Sequence, residues 1–483
     1  MADAVYVAPV SSLVLPAFLD APTVVRGRGA AARARRIVSL LQVKPTLARD
    51  VASLALEESS RSNERTGVLL LNLGGPDTIE QVEPFLYNLF SDPEIITLPS
   101  SLGWLNSPLA WIIARSRAPS SREGYAAIGG GSPQLATTLK QGEALEEALE
   151  RRGLRNVKTY VGMRYWHPYT DEALAAIKRD AIDRLVVLPL YPQFSISTSG
   201  SSLRLLEKEF YADQELRQLK NVVIPAWYNR QGYVHSVARL VAQACDRFEE
   251  TSTPHIFFSA HGLPTKYIEE LGDPYQQQIE ATVRFVMQRL LALGYSNNYT
   301  LAYQSRVGPV QWLQPYTDDK IRELADGGVE SLVVVPISFV SEHIETLEEI
   351  DMEYAELASE CGIKEWERVP ALGLEEDFID DLADAVVEAL PRMEQRPLQE
   401  INEGRPVSLR VVNDLVDLSS KEELGIEYGP YRYKRSRFGL TPKAEVINGR
   451  LAMAAITLAS LLSYSKGNLY NEVVAGRIPF GWW

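Results

Sequence analysis

The stretch SEHIETLEEIDMEY, residues 341–354, carries Glu342, Glu345, Glu348, Glu349, Asp351 and Glu353 together with His343, and no Lys or Arg. Read as an α-helix, its three- and four-residue steps put Glu342, Glu345, Glu349 and Glu353 on one face, where like charges repel. An acid row remote from a strand end is an ordinary solvated face. This one directly follows the apolar run SLVVVPISFV, so it is expected to face a cleft, where unpaired carboxylates are costly unless they bind cations or exchange protons. Carboxylates beside an imidazole suit a labile divalent site for a borderline ion such as Fe(II), with Glu342, His343, Glu345 and Glu349 as candidate ligands. Tight structural zinc is disfavoured because neither cysteine is near in sequence. His261, in FFSAHGLP, ends another apolar run just before Gly262 and Pro264. A histidine so placed can be a general base, a metal ligand or a satisfied structural group, and its position alone does not choose. His235 and His255 lie in helix-like or strand-edge sequence and read as structural, while His167, before Pro168, fits either reading.

Other residues could build walls around a ligand. The loop YPQFSISTSGSS offers Tyr191, Ser195 and Ser197, and the segments IARSRAP and REGYAAIGGGSP add Arg115, Arg117 and Tyr125. Aromatic walls with cations at the rim suit a planar, apolar ligand that carries carboxylates. The run IGGGSP lacks the Lys-Ser/Thr end of a phosphate-binding loop, which argues against a nucleotide.

These residues need a scaffold, and the chain between Gly67 and about Leu390 supplies its pattern. Short apolar runs alternate with longer amphipathic stretches: GVLLLNLGGP, VKTYVGMRYWHP, RLVVLPLYPQFS, NVVIPAWY, HIFFSAHGLP, YTLAYQSRVGP, SLVVVPISFVSEH and RVPAL. The runs are too uniformly apolar to have a wet face, as expected for parallel strands covered by helices on both sides. The fold expected is α/β. The first three runs resemble the fifth to seventh in order and in polar punctuation, which predicts two similar Rossmann-like halves, residues 67–245 and 246–392, each with a four-stranded parallel sheet. In such sheets ligands bind beyond the carboxyl ends of the strands. The candidate residues sit just there, and one cleft between the halves could collect them.

Composition bounds the function. The chain has 483 residues, 46% of them hydrophobic, enough for two or more folding units. A net charge of -14 argues against a nucleic-acid surface. Cys245 and Cys361 cannot build a disulfide framework or a four-cysteine cluster. Both thiols are expected to be reduced and structural. Residues 1–49 hold Arg26, Arg28, Arg33, Arg35, Arg36, Lys44 and Arg49 against Asp3 and Asp20. That composition predicts an organelle transit peptide, disordered over residues 1–60.

The motifs LLNLGGPD, Tyr125 with IGGGSP, MRYWHP, YPQFSISTSGSS, FSAHGLP, QSRVGPVQWL and FVSEHIETLEEID stand in the order found in ferrochelatases, and about residues 67–390 resemble that family. The resemblance implies a chelatase-like fold and insertion of Fe(II) into protoporphyrin IX to form protoheme, with iron a substrate and no cofactor required. It matches His261 to the family's active-site histidine and Glu345 to its essential glutamate. Glu342, Glu349 and Glu353 fall on its acidic path, and Arg164, Tyr165, Tyr191, Ser195 and Trp312 in its porphyrin pocket. Catalysis is expected of His261 as proton acceptor and of Glu345, with Glu349 and Glu342, in metal delivery or proton exit.

The chain departs from animal members of the family, whose iron-sulfur cluster is held by cysteines near the C-terminus; no such cluster is expected here. Its tail FGLTPKAEVINGRLAMAAITLASLLS instead resembles a helix of chlorophyll a/b-binding light-harvesting proteins. The expectation is a linker over 393–437, a single membrane helix over 438–465 and a short tail over 466–483. Glu445, Asn448 and Arg450 would be its pigment-binding residues, for chlorophyll or carotenoid. Arg450 is costly in a bilayer without a carboxylate, and five residues along one helix do not bring Glu445 to it, so pairing with a second copy is expected to make a homodimer. The destination implied is a plastid, on a thylakoid or envelope membrane, with a mitochondrion as the alternative. The rival functions are a non-enzymatic tetrapyrrole carrier or pigment-binding thylakoid protein, and a chelatase for cobalt or nickel.

Overall fold

The computed structural model describes residues 64–394, apart from 94, 97–99, 250–252 and 309. The expected transit peptide and membrane helix, with Glu445, Asn448 and Arg450, lie outside the described residues. Among the described residues no helix is long and apolar enough to cross a membrane.

The first half contains β1 (Thr66–Asn72), α1 (Val82–Ser91), α2 (Asn106–Ala127), α3 (Gln134–Arg151), β2 (Val157–Met163), α4 (Thr170–Arg179), β3 (Arg184–Pro189), α5 (Ser199–Ala212), the short α6 (Gln214–Gln218) and β4 (Lys220–Val223). After α7 (Gln231–Cys245) come β5 (His255–His261), α8 (Thr265–Glu269), α9 (Tyr275–Leu293), β6 (Tyr299–Gln304), α10 (Thr317–Asp326) and β7 (Ser331–Pro336). A π-helix (Glu345–Tyr354), α11 (Ala355–Glu360), β8 (Glu365–Arg368), α12 (Glu376–Ala389) and α13 (Pro391–Glu394) complete the second half.

The sheets have the orders β2-β1-β3-β4 and β6-β5-β7-β8, all pairs parallel. The internal repeat is therefore a repeat of topology. Five strands fall within the expected runs, and β1 and β4 each begin one residue before theirs. The eighth precedes RVPAL and meets it only at Arg368, because β8 is an edge strand, partly exposed, whose sequence EWER gives a weak apolar signal.

Alternating strand residues feed different cores, as the pleat requires. Val68, Leu70, Val186 and Leu188 join Ile256, Phe258, Val333 and Val335 in one apolar cluster that also takes residues from α3, α7, α9 and α12. Leu69, Leu71 and Val187 face the other way, onto α4 and α5. Phe257 and Val334 pack against α10, the π-helix and α11. Although it precedes residue 246, α7 packs against α9, α12 and β7, and α12 reaches back onto α3 of the first half. A further cluster, of Val82, Phe85, Ala114, Ala118, Tyr125, Tyr165 and Trp166, seats α1 and α2 beside the strand ends.

Candidate active site

His261 is the last residue of β5, and the π-helix begins after the connection leaving β7. The two elements meet: His261 Nδ1 lies 2.7 Å from Glu345 Oε2, with the imidazole 37% exposed and the carboxylate 24%. An ionised carboxylate only accepts, so Nδ1 carries the proton and Nε2 holds the lone pair. Burial by itself would depress the imidazole, but the Glu345 charge outweighs it and holds His261 above the ordinary histidine range. Glu345 is held well below the carboxylate range, burial being overcome by His261, then His343 and Ser305.

Gly262 lets β6 come close. A Cβ there would stand 2.6 Å from the Gln304 carbonyl oxygen and 3.1 Å from the Trp312 ring, so the indole covers the chain beside His261. Trp312 is half-buried and donates its N–H to the Val307 carbonyl at 2.8 Å.

Beyond β6, Ser305 has φ +63°, a left-handed conformation that side-chain-bearing residues rarely adopt. This turn aims both of its donors at the acids. Its N–H donates to Glu349 Oε1 at 3.0 Å and its hydroxyl lies 2.6 Å from Glu349 Oε2 and 3.3 Å from Glu345 Oε2. Gln304 and the Tyr354 hydroxyl also donate to Glu349, at 3.1 and 2.9 Å. Glu349 is nonetheless raised, by burial first and then by Glu345. The motif QSRVGP gives no sign that its serine bridges two carboxylates, because the bridge depends on a backbone conformation unusual for serine.

The other candidates divide. His343 is buried, its Nδ1 accepts the Glu345 N–H at 3.1 Å, and Phe339 stacks edge-on to it at 4.1 Å. Burial lowers its proton affinity. Glu342 does not belong to an uncompensated row. Arg368, from β8, lies 2.9 and 3.1 Å from its two oxygens, Ala371 N–H donates at 2.9 Å and the Thr346 hydroxyl at 2.6 Å. Arg368 also pairs with Asp351 at 2.6 Å. A cation 26 residues downstream in sequence is invisible in the local charge pattern. Among the described residues no three His, Cys, Asp or Glu form a group that could hold a metal ion.

On the first half, Tyr125 is buried on α2, its phenol held up by burial and then by the Glu345 charge. Tyr191 is half-buried at the end of β3. Arg115 and Arg117 are exposed on α2, and Arg115 pairs with Glu83 at 3.7 Å. Arg164 follows β2 and is tied to Asp92 at 2.7 Å and to the Ser201 hydroxyl at 3.0 Å. Tyr165 donates to the same Asp92 at 2.6 Å. Tyr165 and Ser195 are each only 2% exposed, so they stand behind the cleft surface, while Ser197 is half-buried.

The sequence profile of the ferrochelatase family matches residues 65–390. Ferrochelatase-2, chloroplastic, of Oryza sativa subsp. indica is 54% identical over 411 residues, 84% of this chain and 76% of that protein. The protein of the same name from Arabidopsis thaliana is 52% identical over 425 residues, 86% and 81% of the two chains. Ferrochelatase from Synechococcus elongatus (strain PCC 7942) is 53% identical over 415 residues, 86% of this chain and 98% of that one. Among solved structures, SirB from Bacillus subtilis with Fe3+ aligns at a TM-score of 0.40 and 9% identity, covering 69% of this chain and 98% of that chain. A histidine at a strand end, a glutamate against it, and identity above one half with chloroplastic relatives along most of the chain agree: this chain belongs to the ferrochelatase family.

Proposed function

We propose a division of labour for the ferrochelatase reaction in this chain, in which Fe(II) replaces two pyrrole protons of protoporphyrin IX to give protoheme. The observation that carries it is the 2.7 Å contact of His261 with Glu345 at the mouth of the second sheet. With Nδ1–H given to the carboxylate, Nε2 is free to take a pyrrole proton, and the imidazolium that forms is stabilised by Glu345. Glu345 and Glu349, joined through Ser305, are the path by which the ion approaches or the protons leave. Oxygen ligands hold a divalent ion weakly enough to pass it on. Glu342 and His343 take less part in that path, since Arg368 neutralises the first and a backbone N–H occupies Nδ1 of the second. Trp312, Tyr125 and Tyr191 supply apolar walls, and Arg115 and Arg117 are exposed cations that meet propionates at the rim, Arg115 in exchange for its long contact with Glu83. No resident cofactor and no iron-sulfur cluster enters this scheme.

The test is anaerobic mixing of the protein with protoporphyrin and Fe(II), following the porphyrin spectrum. Heme formation is expected; a well-folded protein that binds porphyrin without converting it would leave a carrier instead.

The chloroplastic relatives support a plastid location. We extend that to a membrane-bound homodimer paired through residues 438–465, with Glu445 of each copy facing Arg450 of the other and Asn448 beside them, a site for chlorophyll or carotenoid. Removing residues 438–483 and sizing the protein in detergent tests it. A soluble, active monomer is expected, and a truncated form that stays dimeric and membrane-bound would overturn the idea.

A further inference from the structure

The loop that carries Ser195 and Ser197 leaves β3 of the first half, yet the second half holds it. Asp273, between α8 and α9, accepts the Ser195 hydroxyl at 2.8 Å and the Ile196 N–H at 2.7 Å on one oxygen, and the Tyr275 N–H at 3.0 Å on the other. From α9, Gln278 accepts the Phe194 N–H at 2.7 Å, and Thr282 receives the Gln193 amide at 3.2 Å. Two residues along from Asp273, the Tyr275 hydroxyl donates to the His261 carbonyl at 2.9 Å and lies 2.8 Å from the Ser338 hydroxyl, which in turn accepts the His261 N–H at 3.0 Å. Asp273 is 3% exposed. A carboxylate placed there needs each of those donors, and Arg204, a cation acting on it, is itself bonded to the Ile196 carbonyl at 2.7 Å. A purely structural tie between two halves does not need a buried charge, since an amide or an apolar pair serves as well.

We propose that the turn Asp273–Pro274–Tyr275 is a positioning device that fixes the porphyrin wall relative to the base. Its first residue sets the Ser195–Ser197 loop and its third sets the backbone of His261. Neither residue touches a reacting atom. The inference rests on the reading of that loop as part of the porphyrin wall and of His261 as the base. It predicts that one three-residue turn has two kinetically separable arms, because each arm ends on a different partner.

The experiment is steady-state kinetics on the full chain with the variants Asp273→Asn, Asp273→Ala and Tyr275→Phe, each checked for its melting temperature. In Asp273→Asn the amide oxygen can still accept from Ser195 and Ile196, but its NH2 then faces the Tyr275 N–H. The porphyrin KM is expected to rise roughly tenfold in Asp273→Ala and by less in Asp273→Asn, with kcat changed by less than about threefold in both. Tyr275→Phe is expected to lower kcat roughly tenfold at a near-constant porphyrin KM and to displace the acidic limb of the pH profile, because the His261 backbone is no longer pinned. Adding Ser195→Ala to Asp273→Ala should raise KM little further, since the two act on one contact. Loss of stability alone would reduce the active fraction and lower kcat in every variant without the split. An unchanged porphyrin KM in Asp273→Ala, or equal kinetic effects from the two arms, would overturn the proposal. Should Asp273→Ala fail to fold, the KM of Asp273→Asn decides. Turnover surviving in His261→Ala would instead overturn the reading of the site, whatever the Asp273 variants do.

Discussion

At the scale of single residues, burial alone would push both His261 and Glu345 toward neutrality, and their contact opposes it, holding the imidazole above and the carboxylate below its ordinary range. His261→Ala should abolish turnover, by at least about a hundredfold, while porphyrin still binds, since general-base contributions run to about 10²–10⁴. Absorbance titration with porphyrin, beside anaerobic turnover, checks both halves of that statement. The pH dependence has a definite sign. Glu345 raises the proton affinity of His261, so the neutral base appears only above the ordinary histidine range, and the acidic limb of kcat/KM should lie on the high side of about 6.5. In Glu345→Gln the largest opposition to burial is gone and only the lesser Glu349 charge still raises the imidazole, so that limb should move to lower pH while kcat falls. A limb that stays in place would show that another group titrates. The chemistry at this scale was half legible. FFSAHGLP and the acid row named His261 and Glu345, but Ser305, Arg368 and Asp273 act through contacts that span 26 to 78 residues of sequence, and no local pattern records them.

At the scale of elements, the π-helix is the departure from expectation. Three- and four-residue spacing reads as an α-helix, whereas Glu345–Tyr354 winds more loosely and brings i and i+5 together. Tyr354 thereby reaches Glu349, and Glu353 hydrogen-bonds to Glu348. Glu348 is pushed up to about 7, by burial first and then by Glu353 and Glu349. A carboxyl whose folded value lies above its unfolded one binds more protons when folded, so it costs stability as pH rises from the carboxylate range through about 7. Glu348→Gln should therefore raise the melting temperature at pH 8 and leave it unchanged near pH 4, a gain of ~1–2 kcal/mol after allowance for solvent screening. Scanning calorimetry at the two pH values decides it. Glu348 also packs on α2, where a Cβ at Gly124 would stand 3.3 Å from its carboxyl carbon. The strands, by contrast, were legible because parallel strands covered on both faces leave uninterrupted apolar runs, and only the edge strand β8, half exposed, escaped.

At the scale of the whole molecule, α12 ties the halves. Its Asp384 and Asp380 receive Arg152, just past α3, at 2.6 and 3.2 Å, and Arg151, the last residue of α3, reaches Asp380 at 2.8 Å. Its Asp381 and Glu388 hold Arg230, at the start of α7, at 2.8 and 2.9 Å. Arg152→Ala should lower the melting temperature by about 2–4 °C without splitting the transition, because the shared apolar core between the sheets still couples them. Two transitions, seen by fluorescence and circular dichroism, would show that the ion pairs and not the core make the halves one unit. The duplicated sheet order has a further consequence, for the history of the chain. Register places Leu73, just past β1, where β5 ends on His261, and Met163 where β6 has Tyr303, so Arg164 answers to Gln304. Leu73 packs against the cluster of Val82, Phe85 and Tyr125. If the halves arose by duplication of one ancestral gene, the two copies have since parted company. One kept or acquired an imidazole at the strand end while the other settled on an apolar side chain, so replacing Leu73 by histidine would be a direct way to ask whether the silent copy still remembers a trade.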